Sequence, residues 1–360
     1  MLQEKQNYSD INEFITSNLA NHLNLNLNFQ NNKLEDEFAI KLALSLANCS
    51  QLKTLTLNLN QNNFSQQGAI NLCSALVKCK NLSSLHLNLR SNKIGELGGS
   101  YIGFSLANCS SIKILKLNLK LNSIGIQGTI GLSQALENFK NIEELYLDLG
   151  YNNKIKNEGV LSLGSALAKC DNLKILKLQL ESNKIKNKGV SGLCQSLSQC
   201  KKLQKLALLL EQNYIQDNGA TGLASALIKF KSLKTLKINL SYNQIGDFGA
   251  QNLGISLANC SNISNLKLLL QSNQLENEAV KSIGIAMNDC TNLKNLQLHL
   301  YQNEFNSEGL LFINSALKKC INLQTVSITF NNIEYQTCYL MKITLAKIKK
   351  LVLKTLRYHN

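Results

Sequence analysis

The chain has 360 residues, 44% of them hydrophobic, and a formal net charge of +15 from 38 lysines and arginines against 23 acids. Arg90 and Arg357 are the only arginines. The charge is therefore lysine charge, which attracts acidic surfaces but lacks the planar fork that reads base edges, so sequence-specific nucleic-acid recognition is not expected. No apolar run approaches the roughly 18 residues of a membrane helix, and the first residues lack a signal-peptide profile, so the expected setting is soluble and intracellular.

In chain order, residues 1–22 predict a helical cap, with a helix over 11–19 that starts after Ser9 or Asp10. Residues 23–333 then repeat one outline about every 30 residues, giving about ten to eleven repeats. Leu85, Leu115, Leu145, Leu176, Leu206, Leu236, Leu266 and Leu296 share one phase of it. In Leu206-Ala-Leu-Leu-Leu210 residues alternate inward and outward, as in a short strand. Past Asn213 the spacing of Ile215, Gly219, Leu223 and Leu227 turns to that of an amphipathic helix. Each repeat therefore reads strand, turn, helix; the helix returns the chain to the same edge, so strands lie parallel and helices form an outer layer.

A second phase holds Asn92, Asn122, Asn153, Asn183, Asn213, Asn243, Asn273 and Asn303. At a strand exit a buried amide satisfies turn donors and acceptors from both of its ends, so these residues predict a continuous hydrogen-bonded row. The recurring glycine, as at 219 and 249, predicts a tight helix start or a close approach of neighbouring turns. The fourth repeat is one residue longer than its neighbours, with the extra residue placed around 150–153. Residues 334–360 predict a basic cap, with a helix over 337–346 and a strand over 349–356. Lys342, Lys347, Lys349, Lys350, Lys354 and Arg357 all follow the last acid, Glu334. Such an end either contacts an acidic protein or membrane surface, or is the solvated side of the cap.

Eight of the eleven cysteines occupy one repeat position, where Phe139 and Phe230 stand in the other repeats. A position that takes cysteine or phenylalanine selects apolar burial, so reduced core thiols are expected. Spacing gives no metal motif, and no phosphate loop, metal helix or nucleophile elbow is present. The expectation is no enzyme, no cofactor and no metal.

The outward strand positions form three rows. The first contains Lys116, Tyr146, Lys177, Lys237 and Lys267, a lysine stripe with an aromatic anchor. The second contains Leu209 and Leu269, expected as exposed apolar spots; the third contains Arg90, Glu181, Glu211 and Tyr301. Glu181 and Glu211 are expected side by side on adjacent strands, neutralised by Lys177 and Lys237. Tyrosines beside apolar spots are typical anchors, so these rows are the candidate partner-binding face.

The motif Leu-x-Leu-x-x-Asn-x-Ile followed by Gly-x-x-x-Leu-x-x-x-Leu resembles the leucine-rich repeat, in its long, helix-bearing ribonuclease-inhibitor-like class. The abundance of asparagine resembles that of proteins from AT-rich protist genomes. The resemblance implies an α/β solenoid, a horseshoe with a concave parallel β-sheet and convex outer α-helices. It implies a non-enzymatic scaffold that holds a protein partner on its concave face and rim. The basic charge adds an acidic partner, within a cytoplasmic or cytoskeletal assembly. Ran-type GTPase activators are similar to this class, and that alternative implies an essential arginine at an early strand-to-turn junction, where Arg90 stands. The basic tail departs from the acidic tail that reading expects. Inhibition of a basic ribonuclease, also implied by the class, is opposed by like charge.

Overall fold

The computed structural model describes residues 6–152, 154–331 and 333–359, and the chain groups into two compact units, Met1–Asn183 and Lys184–Asn360. The first unit contains strands β1 (Gln6–Tyr8), β2 (Asn24–Asn28), β3 (Thr54–Asn58), β4 (Ser84–Asn88), β5 (Ile114–Asn118), β6 (Glu144–Asp148) and β7 (Ile175–Gln179). They pair in chain order, all parallel. Helices α1 (Ile11–Thr16), α2 (Asp36–Ala47), α3 (Gln66–Leu76), α4 (Gly95–Leu106), α5 (Gly125–Asn138) and α6 (Lys156–Leu167) alternate with them. The second unit holds α7 (Asn187–Leu197), β8 (Lys205–Leu209), α8 (Asp217–Leu227), β9 (Thr235–Asn239), α9 (Asp247–Ala258) and β10 (Asn265–Leu269). It continues through α10 (Asn277–Met287), β11 (Asn295–His299), α11 (Ser307–Leu317), β12 (Thr325–Asn331), α12 (Tyr335–Ala346) and β13 (Leu353–His359). Its strands also pair in chain order and in parallel. The architecture is the α/β solenoid expected from the period.

Alternation explains each strand. In β4, Leu85 and Leu87 are buried while Ser84, His86 and Asn88 are half-buried on the other face. Helices cover the leucine face: α3 buries Leu72, Cys73 and Leu76, three and four residues apart. Burying one such leucine contributes about 1.5–3 kcal/mol, and each repeat supplies several. The additional leucine after each strand, such as Leu89 and Leu119, is buried too. Its amide keeps the parallel ladder going past the strand end, as in Leu89 N–H to Asn118 O at 2.9 Å and Ser91 N–H to Lys120 O at 2.9 Å.

The asparagine row is present, with one reassignment. Asn243 donates from Nδ2 to the carbonyls of Leu210 (3.1 Å) and Leu240 (3.0 Å), and its Oδ1 accepts from Ile215 N–H (3.0 Å). Asn62, Asn92, Asn122 and Asn273 repeat this pattern, each tying its own turn to that of the preceding repeat. In the fourth repeat Asn152 does this work, with Oδ1 accepting from Asn122 N–H (2.8 Å) and Ile124 N–H (3.2 Å). Asn153, the residue expected there, lies outside the described residues. Because Asn152 keeps the 30-residue step from Asn122, the additional residue falls after the ladder position rather than before it.

The residue before each ladder asparagine is left-handed. Gln61, Ser91, Leu121, Tyr151, Gln212, Tyr242, Ser272 and Gln302 have φ between 53° and 59°. That region costs an ordinary side chain about 1–2 kcal/mol, so the turn is imposed by the ladder and not by local preference.

Helix starts are capped across repeats. Asp217 begins α8, and its Oδ1 accepts from Gly246 N–H (2.7 Å) and Gly249 N–H (3.0 Å) at the start of α9. Asp247 does the same for Glu276 and Ala279, and Asn277 for Asn306 and Gly309. Here the repeating glycine meets its constraint: a Cβ on Gly249 would lie 2.7 Å from the Asp217 carboxylate and 2.8 Å from its Cα. Ala279 is accommodated at the equivalent site, with its N–H at 3.2 Å from Asp247.

All eleven cysteines are buried and unpaired with one another. Cys79, Cys109, Cys170, Cys260, Cys290 and Cys320 each donate S–H, at 3.6–3.7 Å, to a carbonyl of the preceding repeat's helix. Burial pushes the thiols of Cys49, Cys73, Cys194 and Cys290 up to about 12 and those of Cys79, Cys109, Cys260 and Cys320 up to about 11. The thiol row thus adds a weak donor to the apolar packing that the sequence predicts.

At the start, Asp10 accepts from Asn12 N–H (2.8 Å) to cap α1, and Phe14 packs near Tyr8 and the buried His22. The short strand β1 within this segment was not expected. At the end, α12 begins two residues before the expected helix, and β13 lies a few residues beyond the expected strand, pairing Thr325 with Leu353 through Asn331 with His359. No helix among the described residues is long and apolar enough to cross a membrane.

Two outcomes follow from these rows. Asn243→Ala leaves several buried backbone groups without partners and lowers unfolding free energy by about 2–4 kcal/mol, measured by urea denaturation. Iodoacetamide at mildly alkaline pH leaves the eight cysteines of the shared repeat position unlabelled in the folded protein and labels them in urea, since alkylation requires thiolate and access.

Candidate functional site

In each unit the sheet face not covered by helices carries the outward rows, and strand register fixes their order. In the first unit, Thr56, His86, Lys116, Tyr146 and Lys177 are direct neighbours along one row. Asn58, Asn88, Asn118, Asp148 and Gln179 form the next. Together they line a shallow trough of about 350 Å³. The Lys116 ammonium stands 5.0 Å from the centre of the Tyr146 ring, and Lys120 stands 4.5 Å from that of Tyr151, both cation–π distances.

Much of the second row satisfies itself. Asn88 Nδ2 donates to Asn58 Oδ1 (3.0 Å), and Asn58 Nδ2 in turn donates to Asn28 Oδ1 (3.0 Å). Asn58, Asn88 and Asn118 also accept from the backbone N–H two residues on. Asp148 occupies the same position in β6 and accepts from Gly150 N–H at 3.0 Å. Burial raises its pKa, opposed by that hydrogen bond and by the charges of Lys120, Lys177 and Arg90. Burial also raises the pKa of Tyr146, with Glu144 adding to it. Glu144 lies on an outward row one step earlier in the strands, which sequence reasoning passed over although the same alternation places it there.

In the second unit, Ala207, Lys237, Lys267, Gln297, Ser327 and Thr355 form the corresponding row. A trough of about 370 Å³ lies over Lys237, Lys267, Asn295 and Gln297. Lys237 and Lys267 are register partners, two like charges on adjacent strands about 4.8 Å apart. Burial lowers the pKa of Lys267. The four lysines of the stripe thus divide two and two, Lys116 and Lys177 in one unit and Lys237 and Lys267 in the other.

Leu209 and Leu269 are not exposed spots: they are 6% and 8% accessible. They flank Asn239 in the register, and side chains on adjacent strands stand close enough to cover one another. Glu181 is 8% accessible, with its carboxylate over Gly150, where a Cβ would come within 2.7 Å. Glu211 accepts from Asn239 Nδ2 at 2.8 Å. The two acids belong to different units and have different settings. Tyr301 is half-buried, its pKa raised chiefly by burial, then by Tyr242 and Glu211. Arg90 is exposed just past the end of β4.

A family model described as Leucine Rich repeat matches residues 81–103, 145–164, 171–194 and 232–254, each match running from a strand into the helix that follows it. No curated protein matches the chain. Over these four segments the chain is similar to leucine-rich repeats, and both troughs include strands that the matches reach.

Asp148 yields a pH prediction. Since its folded-state pKa lies above the unfolded value, the folded chain holds more protons between the two, and the associated stability is present at acid pH and lost as pH rises through the folded pKa. Asp148→Asn restores the residue of β3–β5 and keeps the bond to Gly150 N–H. It raises the melting temperature at neutral pH, and the difference from wild type vanishes at acid pH.

Proposed function

We propose that this leucine-rich repeat chain is a non-enzymatic interaction scaffold that holds an acidic protein partner against the open face of its sheet. The observation that carries the reading is the pairing of Lys237 with Lys267. Two ammonium groups in direct register repel each other, and burial already disfavours the charged form of Lys267. Such an arrangement concentrates positive charge along the trough, and a carboxylate placed over it meets both lysines. Lys116, Tyr146 and Lys177 offer a second version in the first unit, with an aromatic face between two cations. The asparagines beside them already bond to one another, so charge and the tyrosine ring are what remains for a partner.

A polar trough without an activated nucleophile suits binding rather than turnover. The partner class that fits is a flexible acidic segment, of the kind found on cytoskeletal proteins, laid across successive strands.

Poly-glutamate supplies a direct test, titrated by calorimetry at low and high salt. The wild-type chain binds at low salt and loses affinity as salt rises. Lys237→Glu with Lys267→Glu weakens binding by about ten-fold or more, and Lys116→Glu with Lys177→Glu does so in the other unit. Binding unchanged in both double variants removes the stripe from the account.

A further inference from the structure

The last helix layer of the second unit departs from the layers before it. In α9 and α10 the position facing the next helix is glycine: a Cβ on Gly254 would lie 2.9 Å from the backbone of Ser282, and one on Gly284 would lie 2.8 Å from that of Phe312 and Ile313. In α8 the residue is Ala224. Small residues there let successive helices meet backbone to side, and α8 to α11 pack closely. In α11 the same position is Asn314, and α12 packs against α11 far more loosely. A groove of about 800 Å³ opens between them.

The groove has a consistent chemistry. Its apolar surface comes from Ile321, 68% accessible, Leu340, 40% accessible, and the half-buried Ile343 and Ile348. Its charged lining is Lys318, Lys347, Lys349 and Lys350, with no acid among the lining residues. Lys350 is tied to Asn322 Oδ1 at 2.8 Å, while Lys318, Lys347 and Lys349 are exposed. Asn314 lines the groove, is 5% accessible, and has its Oδ1 buried without a hydrogen-bond partner. Leaving a buried acceptor unsatisfied is costly, which points to an occupant carrying a donor.

We propose that this groove docks an amphipathic, acidic helix of a partner protein, which takes the place of a further repeat helix. Apolar residues of that helix enter between α11 and α12, its carboxylates meet the lysines, and a polar side chain within its apolar stripe donates to Asn314 Oδ1. The concave shape and the buried acceptor favour a peptide over a lipid surface: a bilayer lies against protruding faces, and acyl chains bring no donor. This site is on the helix side of the second unit, apart from the sheet face, and its failure leaves the sheet-face reading intact.

The test uses a fluorescein-labelled peptide with leucine at i, i+3, i+4 and i+7, one glutamine within that stripe and glutamate elsewhere, followed by anisotropy. Wild type binds it saturably. Lys347→Glu with Lys349→Glu weakens it by about ten-fold or more, whereas Lys237→Glu with Lys267→Glu leaves it unchanged. Asn314→Ala, a residue this position already takes in α8, folds normally and removes the preference for the glutamine peptide over an all-leucine one. No saturable binding, or equal binding by the Lys347/Lys349 variant, overturns the proposal. Binding of phosphatidylserine vesicles in place of the peptide overturns it as well, and makes the groove a membrane contact.

Discussion

One amide per repeat holds this architecture together. A parallel strand that stops and turns exposes carbonyls and N–H groups that its neighbour cannot pair, and a buried unpaired group is expensive. Each ladder asparagine satisfies such groups in its own repeat and in the one before, as Asn243 does for Leu210, Ile215 and Leu240. The helix starts obey the same logic, since Asp217 and Asp247 cap the helix of the next repeat rather than their own. No repeat is complete alone. Stability therefore resides in the interfaces between repeats.

The period made most of the fold legible because burial and polar satisfaction recur at fixed steps. Leucines, ladder asparagines, glycines and core cysteines each answer a demand that every repeat makes, so identity and spacing coincide. What escaped depends on neighbours across repeats. With Asn152 and Asn153 adjacent, phase alone does not say which enters the ladder; the bond from Asn122 N–H does. The cross-repeat role of Asp217 is invisible in a single repeat, where an acid at a helix start reads as an ordinary dipole effect. For the candidate site, alternation gives Lys116, Tyr146, Lys177, Lys237 and Lys267 the outward strand phase, and the register aligns them within each unit. It did not give accessibility: Leu209 and Leu269 point outward yet are covered, because the density of flanking side chains and not direction decides exposure.

The same density separates structural from available polarity on that face. Asn28, Asn58 and Asn88 spend their amides on each other, as a sheet analogue of the buried ladder. Lysines have no such option, because side-by-side ammonium groups do not bond. A register that links amides when it holds asparagine brings like charges together when it holds lysine, as at Lys237 and Lys267.

The left-handed residue ahead of each ladder asparagine has a consequence for how such a chain diversifies. Leucine, tyrosine, serine and glutamine all occupy it, although none prefers that conformation, and Leu121 and Tyr242 stand 41% and 46% accessible at the edge of the sheet. Since the ladder sets the backbone there whatever the side chain, the position is decoupled from folding. A rim of this kind can be rewritten residue by residue, repeat by repeat, while the stack beneath it stays the same.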